Sequence, residues 1–229
     1  MRPLVIAIDG PSGVGKSTLA RGLAARLRIP YVDTGAMYRA VGVAAVAAGL
    51  DLEDGARIGA LAEAMHFDFA RGAPRGRLRV DGRELGDEIR TEAAGHAASM
   101  VSRHPAVRSA LVAWQRRLVA NHGGVMEGRD IGTVVFPDAP VKVFLTAALA
   151  ARAERRHREL AERGDTASIE AITAAIEDRD GRDAAREHAP LRPAPDAIDL
   201  DCTDLSAAAV LEEVLQLVAT RTAGGGRAS

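Results

Sequence analysis

The chain is poor in two residue types that usually carry chemistry. Among its 229 residues there is one cysteine, Cys202, and only two lysines, Lys16 and Lys142. A lone cysteine excludes an internal disulfide framework and any cysteine-cluster metal site, and suits a reducing cytosol; Cys202 reads as a core residue. Neither sign of charge prevails, since 30 Lys and Arg face 31 Asp and Glu for a net charge of -1. No nucleic-acid or membrane-binding face is therefore expected, although local arginine clusters can still hold small anions. Long apolar runs are also missing. Nothing approaches a membrane span, and the apolar stretch of "MRPLVIAIDG" is too short for the core of a signal peptide. A soluble, cytoplasmic protein is expected, and its ordinary share of apolar residues (47%) is enough to bury a core.

What is there reads as alternating strands and helices. "PLVIAID" is a short β-branched run closed by Gly-Pro, which predicts a buried parallel strand; Leu19, Leu23 and Leu27 then recur at helical spacing. "IPYVDTG" reads as a second strand ending in Asp33-Thr34-Gly35, before an Ala-rich helix. Between about Asp51 and Gly86 the texture changes: a helical piece at Ile58 to Met65, then alternation (Phe67, Phe69; Leu78, Val80) around a Gly/Pro-rich turn and Asp81-Gly82. That predicts a small antiparallel meander inserted into the βα pattern. Helix resumes at Thr91, and Pro105 stands where a first helical turn tolerates it, with Trp114 and Leu118 as core contacts and Gly123-Gly124 as a stop. Val125-Met126 and Val141 to Leu145 supply two more strands. An Arg-rich helix is expected over about Ala147 to Arg163, a loop at Gly164-Asp165, and another helix from Ser168, in which Gly181 could mark a break or hinge. "DAIDLDCTDLS" reads as a last strand, Ser206 as the N-cap of a closing helix, and "TAGGGRAS" as a disordered tail. The order implies a parallel sheet covered on both faces.

Gly10-Pro11-Ser12-Gly13-Val14-Gly15-Lys16-Ser17 matches the G-x-x-x-x-G-K-[ST] phosphate-loop pattern, with a strand before it and a helix after. Glycines let successive amide N–H groups curl toward a phosphate, and the helix N-terminus adds partial positive charge. Lys16 brings a compact ammonium where a guanidinium fork fits less readily, in a chain that otherwise almost always chooses arginine. Ser17 offers a hydroxyl to Mg²⁺. With Thr18, these residues form the expected ATP site.

The loop alone names no reaction. A guanine-reading Asn-Lys-x-Asp element does not exist, since Lys142 sits in Val-Lys-Val, and the charge balance does not suit a helicase. A small-molecule kinase needs a second anion site, and strand ends offer candidates: Asp33-Thr34-Gly35 with Tyr38 and Arg39, and Gly128-Arg129-Asp130. Each taken singly could be a strand-end turn carrying a surface charge. Arg179, Asp183 and Arg186 share one face of a continuous helix, as either a substrate clamp or a solvated salt-bridged surface. Arg152, Arg155, Arg156 and Arg158 could form a solvated face or a lid closing over phosphates.

The stretches "IAIDGPSGVGKST", "VDTGAMYRA", "VSRHPAVRSAL", "EGRDIGTVVFPDAPVKVFL" and "EDRDGRDAAREHAPL" resemble the bacterial cytidylate kinase family over essentially the whole chain. The pairing of "GRDIGTVVFPDA" with "DTGAMYR" is the specific part. The resemblance implies an α/β P-loop NTPase fold: a five-stranded parallel sheet with helices on both faces, an inserted antiparallel nucleoside-monophosphate-binding subdomain and a helical lid. In residues this implies a core of 1–50, 91–150 and 190–221, an insertion at about 51–90, a lid region at about 151–189 bearing Arg152, Arg155 and Arg156, and a disordered tail at 222–229. The implied reaction is ATP with CMP or dCMP giving ADP with CDP or dCDP, with Mg²⁺ held by Ser17 and the nucleotide phosphates, in a monomer. By position, Arg39, Arg129 and Arg186 clamp the acceptor phosphate, Arg179 and Asp183 meet the ribose, and Ser99, Arg108 and Asp130 read cytosine. Asp33, Thr34 and Tyr38 complete the acceptor set; Thr34 stands where some members have Ser and keeps the hydroxyl. Lys16, Arg129 and Arg186 are expected to stabilise charge on the transferring phosphoryl group, and no general base is expected because the acceptor phosphate is already an anion. A carboxylate accepts from the exocyclic amine of cytosine, whereas uracil presents a carbonyl there, so UMP should be disfavoured. The rival readings are a kinase for another acceptor, such as AMP or shikimate, and a nucleotide-sensing protein without turnover.

Overall fold

The computed structural model describes residues 3–69, 78–162, 164 and 166–224. Strand β1 (Val5–Asp9) leads through the glycine loop into α1 (Lys16–Leu27), and β2 (Tyr31–Asp33) runs directly into α2 (Thr34–Ala47). Thr34 and Gly35 are the first helical residues, because the Asp33 carboxylate caps the Ala36 N–H at 2.8 Å. Then come α3 (Gly55–Ala64) and three short strands, β3 (Phe67–Phe69), β4 (Leu78–Val80) and β5 (Arg83–Glu84). These form the expected antiparallel meander, in the order β3-β4-β5. The Gly/Pro-rich turn between β3 and β4 lies outside the described residues.

Helices α4 (Glu92–Val101, capped by Thr91) and α5 (Pro105–Val119, Pro at its first turn) follow. Gly124 is not part of a helix stop; it already belongs to β6 (Gly124–Gly128), whose end passes into a π-helical turn at Ile131–Val135 that periodicity does not predict. β7 (Val141–Thr146), α6 (Leu149–Ala161), α7 (Ile169–Ala184), β8 (Ile198–Asp201) and α8 (Ala207–Gly224) complete the chain. Gly181 neither breaks nor hinges α7, which runs through it. Residues 222 to 224, expected in a disordered tail, are the end of α8, and the rest of that segment lies outside the described residues.

The main sheet is wholly parallel, in the order β2-β6-β1-β7-β8. Alternation explains its two faces. Ile6 and Ile8 of β1 pack with Leu19 and Leu23 of α1 and Val210, Val214 and Val218 of α8; Val5 and Ala7 pack on the other side with Val112 and Val119 of α5. A third cluster joins α2, α3, β3, β4, α4 and α5, so the 51–90 segment shares its apolar core with the helices flanking it. Close approach helps here: a Cβ on Gly42 of α2 would stand 2.8 Å from the Ala97 Cβ of α4. Helices α6 and α7 pack largely on each other through Leu160, Ile172 and Ile176. Register brings Asp9 beside Gly128 and Asp33 beside Glu127, so the ends of β1, β2 and β6, with the turns they lead into, converge at one edge of the sheet. Among the described residues no helix is long and apolar enough to cross a membrane.

Candidate active site

At that edge the loop Gly10–Gly15 turns back over β1. Gly10 has φ of 148°, and a Cβ there would stand 2.4 Å from the Leu145 carbonyl oxygen, so no other residue keeps the loop this tight against β7. Lys16, Ser17 and Thr18 form the first turn of α1. Residues 12 to 18 line a cleft of about 1720 Å³, while Gly10 and Pro11 lie outside its lining. The Lys16 ammonium is buried and donates to the Pro11 carbonyl at 2.6 Å. Burial, and the Arg129 guanidinium beside it, hold Lys16 well below the usual lysine range, with Glu127 acting in the opposite sense. A phosphate in the loop would reverse that balance.

Glu127, the strand-end acid missing from the sequence-based set, organises this corner. Its carboxylate accepts from Ser17 Oγ at 2.8 Å and from the Tyr31 hydroxyl, and its carbonyl accepts from Thr34 Oγ1 at 2.6 Å. Burial and the nearby Asp33 push Glu127 upward, against Lys16 and the two hydroxyl donors. Its signal in the sequence was its place directly before Gly128-Arg129.

The expected acceptor residues come together from five elements. Thr34, Tyr38, Ser99, Arg108, Arg129, Asp130, Arg179, Asp183 and Arg186 all line one small cavity of about 60 Å³, which Gly35, Gly128, Arg129 and Arg179 share with the large cleft. Asp33 and Arg39, ion-paired at 2.9 Å, line the cleft instead. Arg186 lies beyond the end of α7, so the expected trio is not one helix face; Asp183 instead joins Arg186 to Arg129, with Arg129 Nε donating to its Oδ2 at 2.7 Å and Arg186 to its Oδ1. Burial opposes ionisation of Asp183, but Arg129 and Arg186 outweigh it and hold the carboxyl below the usual range. Asp130 is ion-paired with Arg108, whose guanidinium also lies 5.8 Å from the Tyr38 ring centroid; burial pushes Asp130 up while Arg108 and Arg186 restrain it. Burial likewise pushes Tyr38 up to about 12.

Positive charge is in excess. Burial and Arg129 bring Arg179 down to about 10, and the buried Nε atoms of Arg39, Arg179 and Arg186 have no hydrogen-bond partner. Unpaired buried donors of one sign call for an anion. Arg182, absent from the sequence-based set, donates to Ser99 Oγ at 3.2 Å.

From α6, Arg152 donates to the Ser12 carbonyl at 3.0 Å and pairs with Asp180, which also accepts the Ser12 N–H at 2.9 Å. Arg155 and Arg156 line the cleft. Arg158 is exposed and stands apart from it. Cys202 is buried as expected, but beside the loop: its thiol donates to the Val14 carbonyl at 3.3 Å.

The family model described as cytidylate kinase matches residues 6–220. Among curated proteins, the chain is 46% identical to the cytidylate kinase of Geobacter sp. (strain M21), over 97% of this chain and 95% of the relative. It is 46% identical to that of Exiguobacterium sibiricum, over 95% and 97%, and 45% identical to that of Geobacillus kaustophilus, over 96% and 98%.

Proposed function

The chain belongs to the cytidylate kinase family, and on that premise we propose that it transfers the γ-phosphoryl group of ATP to CMP or dCMP, giving ADP and CDP or dCDP. The observation that carries this reading is the pairing of two anion sites in one cavity system: the phosphate loop, and a pocket whose arginines hold buried donors without partners.

The donor triphosphate is assigned to residues 10 to 18, with Lys16 exchanging its bond to the Pro11 carbonyl for phosphate oxygens. Arg39, Arg129 and Arg186 receive the acceptor phosphate, Arg179 and Asp183 the ribose, and Ser99, Arg108 and Asp130 the base, with Thr34 and Tyr38 beside it. A cavity of about 60 Å³ is too small for a nucleotide, since ligand pockets run to several hundred Å³. Binding must therefore spread the Arg108–Asp130 and Arg129–Asp183–Arg186 groups, and α6 and α7, packed mainly on each other, are the elements suited to move as a lid.

The Ser17 hydroxyl and the Glu127 carboxylate beside it are hard oxygen donors of the kind Mg²⁺ takes, so the corner fits that ion, with Ser17 holding it alongside nucleotide phosphates. Bound there, Mg²⁺ supplies neutralisation of charge on the phosphoryl oxygens. The protein's own contribution is to bring two anions into line, to exclude water, and to place Lys16, Arg129 and Arg186 around the transferring group. A coupled ADP-release assay with CMP, dCMP, UMP, AMP and shikimate tests the reading: turnover is expected with CMP and dCMP well ahead of the others. No acceleration by CMP would overturn it.

A further inference from the structure

One buried acid has no part in the phosphoryl-transfer chemistry. Asp9 ends β1 and is 5% exposed; its Oδ1 accepts the Ile131 N–H and its Oδ2 the Gly132 N–H, each at 2.8 Å. Pairing between β1 and β6 stops at Asp9 and Gly128, after which the chain leaves the sheet through Arg129 and Asp130. Beyond that point the Asp9 carboxylate replaces the sheet ladder. It takes the two amides directly after Asp130, while the Asp130 carbonyl is held by the Val134 and Val135 N–H groups at 2.9 and 3.2 Å. Gly10, the first residue of the phosphate loop, directly follows Asp9 in the chain. A single side chain thus fastens the base-reading corner to the origin of the donor loop.

We propose that Asp9 is a positioning residue for acceptor discrimination: by holding the Ile131 and Gly132 amides it sets where Asp130 stands relative to the phosphate loop, and so the preference for a base bearing an exocyclic amine. This rests on the CMP reading of the Asp130 corner. The electrostatics give the device a signature. Burial pushes Asp9 up to about 6, opposed by the two amide donors and Lys16 and aided by the charge of Asp130. From β7, the Lys142 stem passes close by, but its ammonium is bound to Asp196 and the Pro137 carbonyl. Protonation of Asp9 would set an O–H donor against an N–H donor and release one amide.

The test is the CMP/UMP ratio of kcat/KM, measured on the full chain at saturating MgATP; phosphate ionisation is common to both acceptors and cancels. In the wild type the ratio should be level around neutral pH and fall below about pH 6. Asp9→Asn puts an amide donor against one N–H, so the ratio should drop about ten-fold at neutral pH, through a raised KM for CMP and an ATP KM within about two-fold of wild type. An unchanged ratio in Asp9→Asn would overturn the proposal. If that variant does not fold, Gly132→Ala probes the contact from the other side, since its methyl would stand 3.4 Å from Asp9 Oδ2 and 3.2 Å from Lys142 Cδ. There too a narrowed ratio is expected, and a wild-type ratio would overturn the proposal. A wild type that does not prefer CMP would instead sink the CMP reading itself.

Discussion

On the proposed reading the donor loop and the acceptor pocket do the same physical task, holding an anion away from water, with opposite construction. The loop is contiguous, from Gly10 to Thr18, and works mainly through backbone amides and one ammonium. The pocket draws side chains from α2, α4, α5, the end of β6 and α7, and works through guanidinium groups balanced by buried carboxylates. Backbone amides carry no net charge and need no counter-charge in the absence of ligand. Arginines gathered in a buried pocket do, and Asp183 and Asp130 supply it. The loop is therefore a local device, and the pocket is a charge network whose members cannot be altered singly without exposing another.

The largest expected effect strikes the loop where it depends on a side chain. Lys16→Ala should lower turnover at saturating CMP by about 100- to 1,000-fold, or about 3–4 kcal/mol of transition-state stabilisation, while leaving the fold intact. Near-normal turnover would remove Lys16 from the phosphate cradle and weaken the contrast, leaving amides alone in charge.

Next is the network. Asp183→Asn should cost about 3 kcal/mol in unfolding free energy at neutral pH, because two buried guanidinium groups lose their shared carboxylate. The sign with pH comes from the direction of its shift. A carboxyl held below its unfolded value of 3.8 contributes stability above that pH and loses it as pH falls through the folded value, so the deficit of the variant should shrink in acid. Asp9 behaves oppositely: raised to about 6, its ionised form burdens the fold at neutral pH, and that burden lifts as pH falls from above 6 toward 3.8. Denaturant titrations of Asp183→Asn, Asp9→Asn and wild type from neutral pH to below 3.8 would show both. A deficit that does not change in acid would contradict the charge-network description.

The smallest effect is one of selectivity. Asp130→Ala should weaken CMP and narrow its advantage over UMP by about 1–2 kcal/mol, read from kcat/KM for both acceptors. An unchanged ratio would remove Asp130 from base reading and leave the pocket as a phosphate clamp alone.

The same contrast explains which parts of the molecule are legible in the sequence. The loop, its strand and its helix are legible because their features are local: glycines, lysine and hydroxyl at fixed spacing before an apolar 3.6-residue repeat. Most acceptor candidates stand out as strand-end or helix-spaced groups, but Ser99 and Arg108, and the part each residue would play, are reached only through likeness to a family. Glu127 and Asp9 escape notice for a related reason. Each looks like an ordinary strand-end acid, and only the register of β6 between β2 and β1 sets Glu127 against Ser17 and Tyr31, and Asp9 against the turn at Ile131. Gly181 misleads because a glycine in an exposed helix lowers helical propensity by only about 1 kcal/mol, which the packing of Ile172 and Ile176 on α6 outweighs.

By itself the sequence determined the alternation of strands and helices, the inserted meander, and the phosphate loop with its one fitting lysine, because periodicity, turn chemistry and contiguous motifs act over a few residues. The tertiary structure alone decided which carboxylate neutralises which arginine, why Arg158 stands apart from Arg152, Arg155 and Arg156, and that Asp9 reaches across to the Asp130 turn. Those are matters of desolvation and distance between segments far apart in the chain, and they take values only once the parallel sheet has brought its strand ends to a common edge.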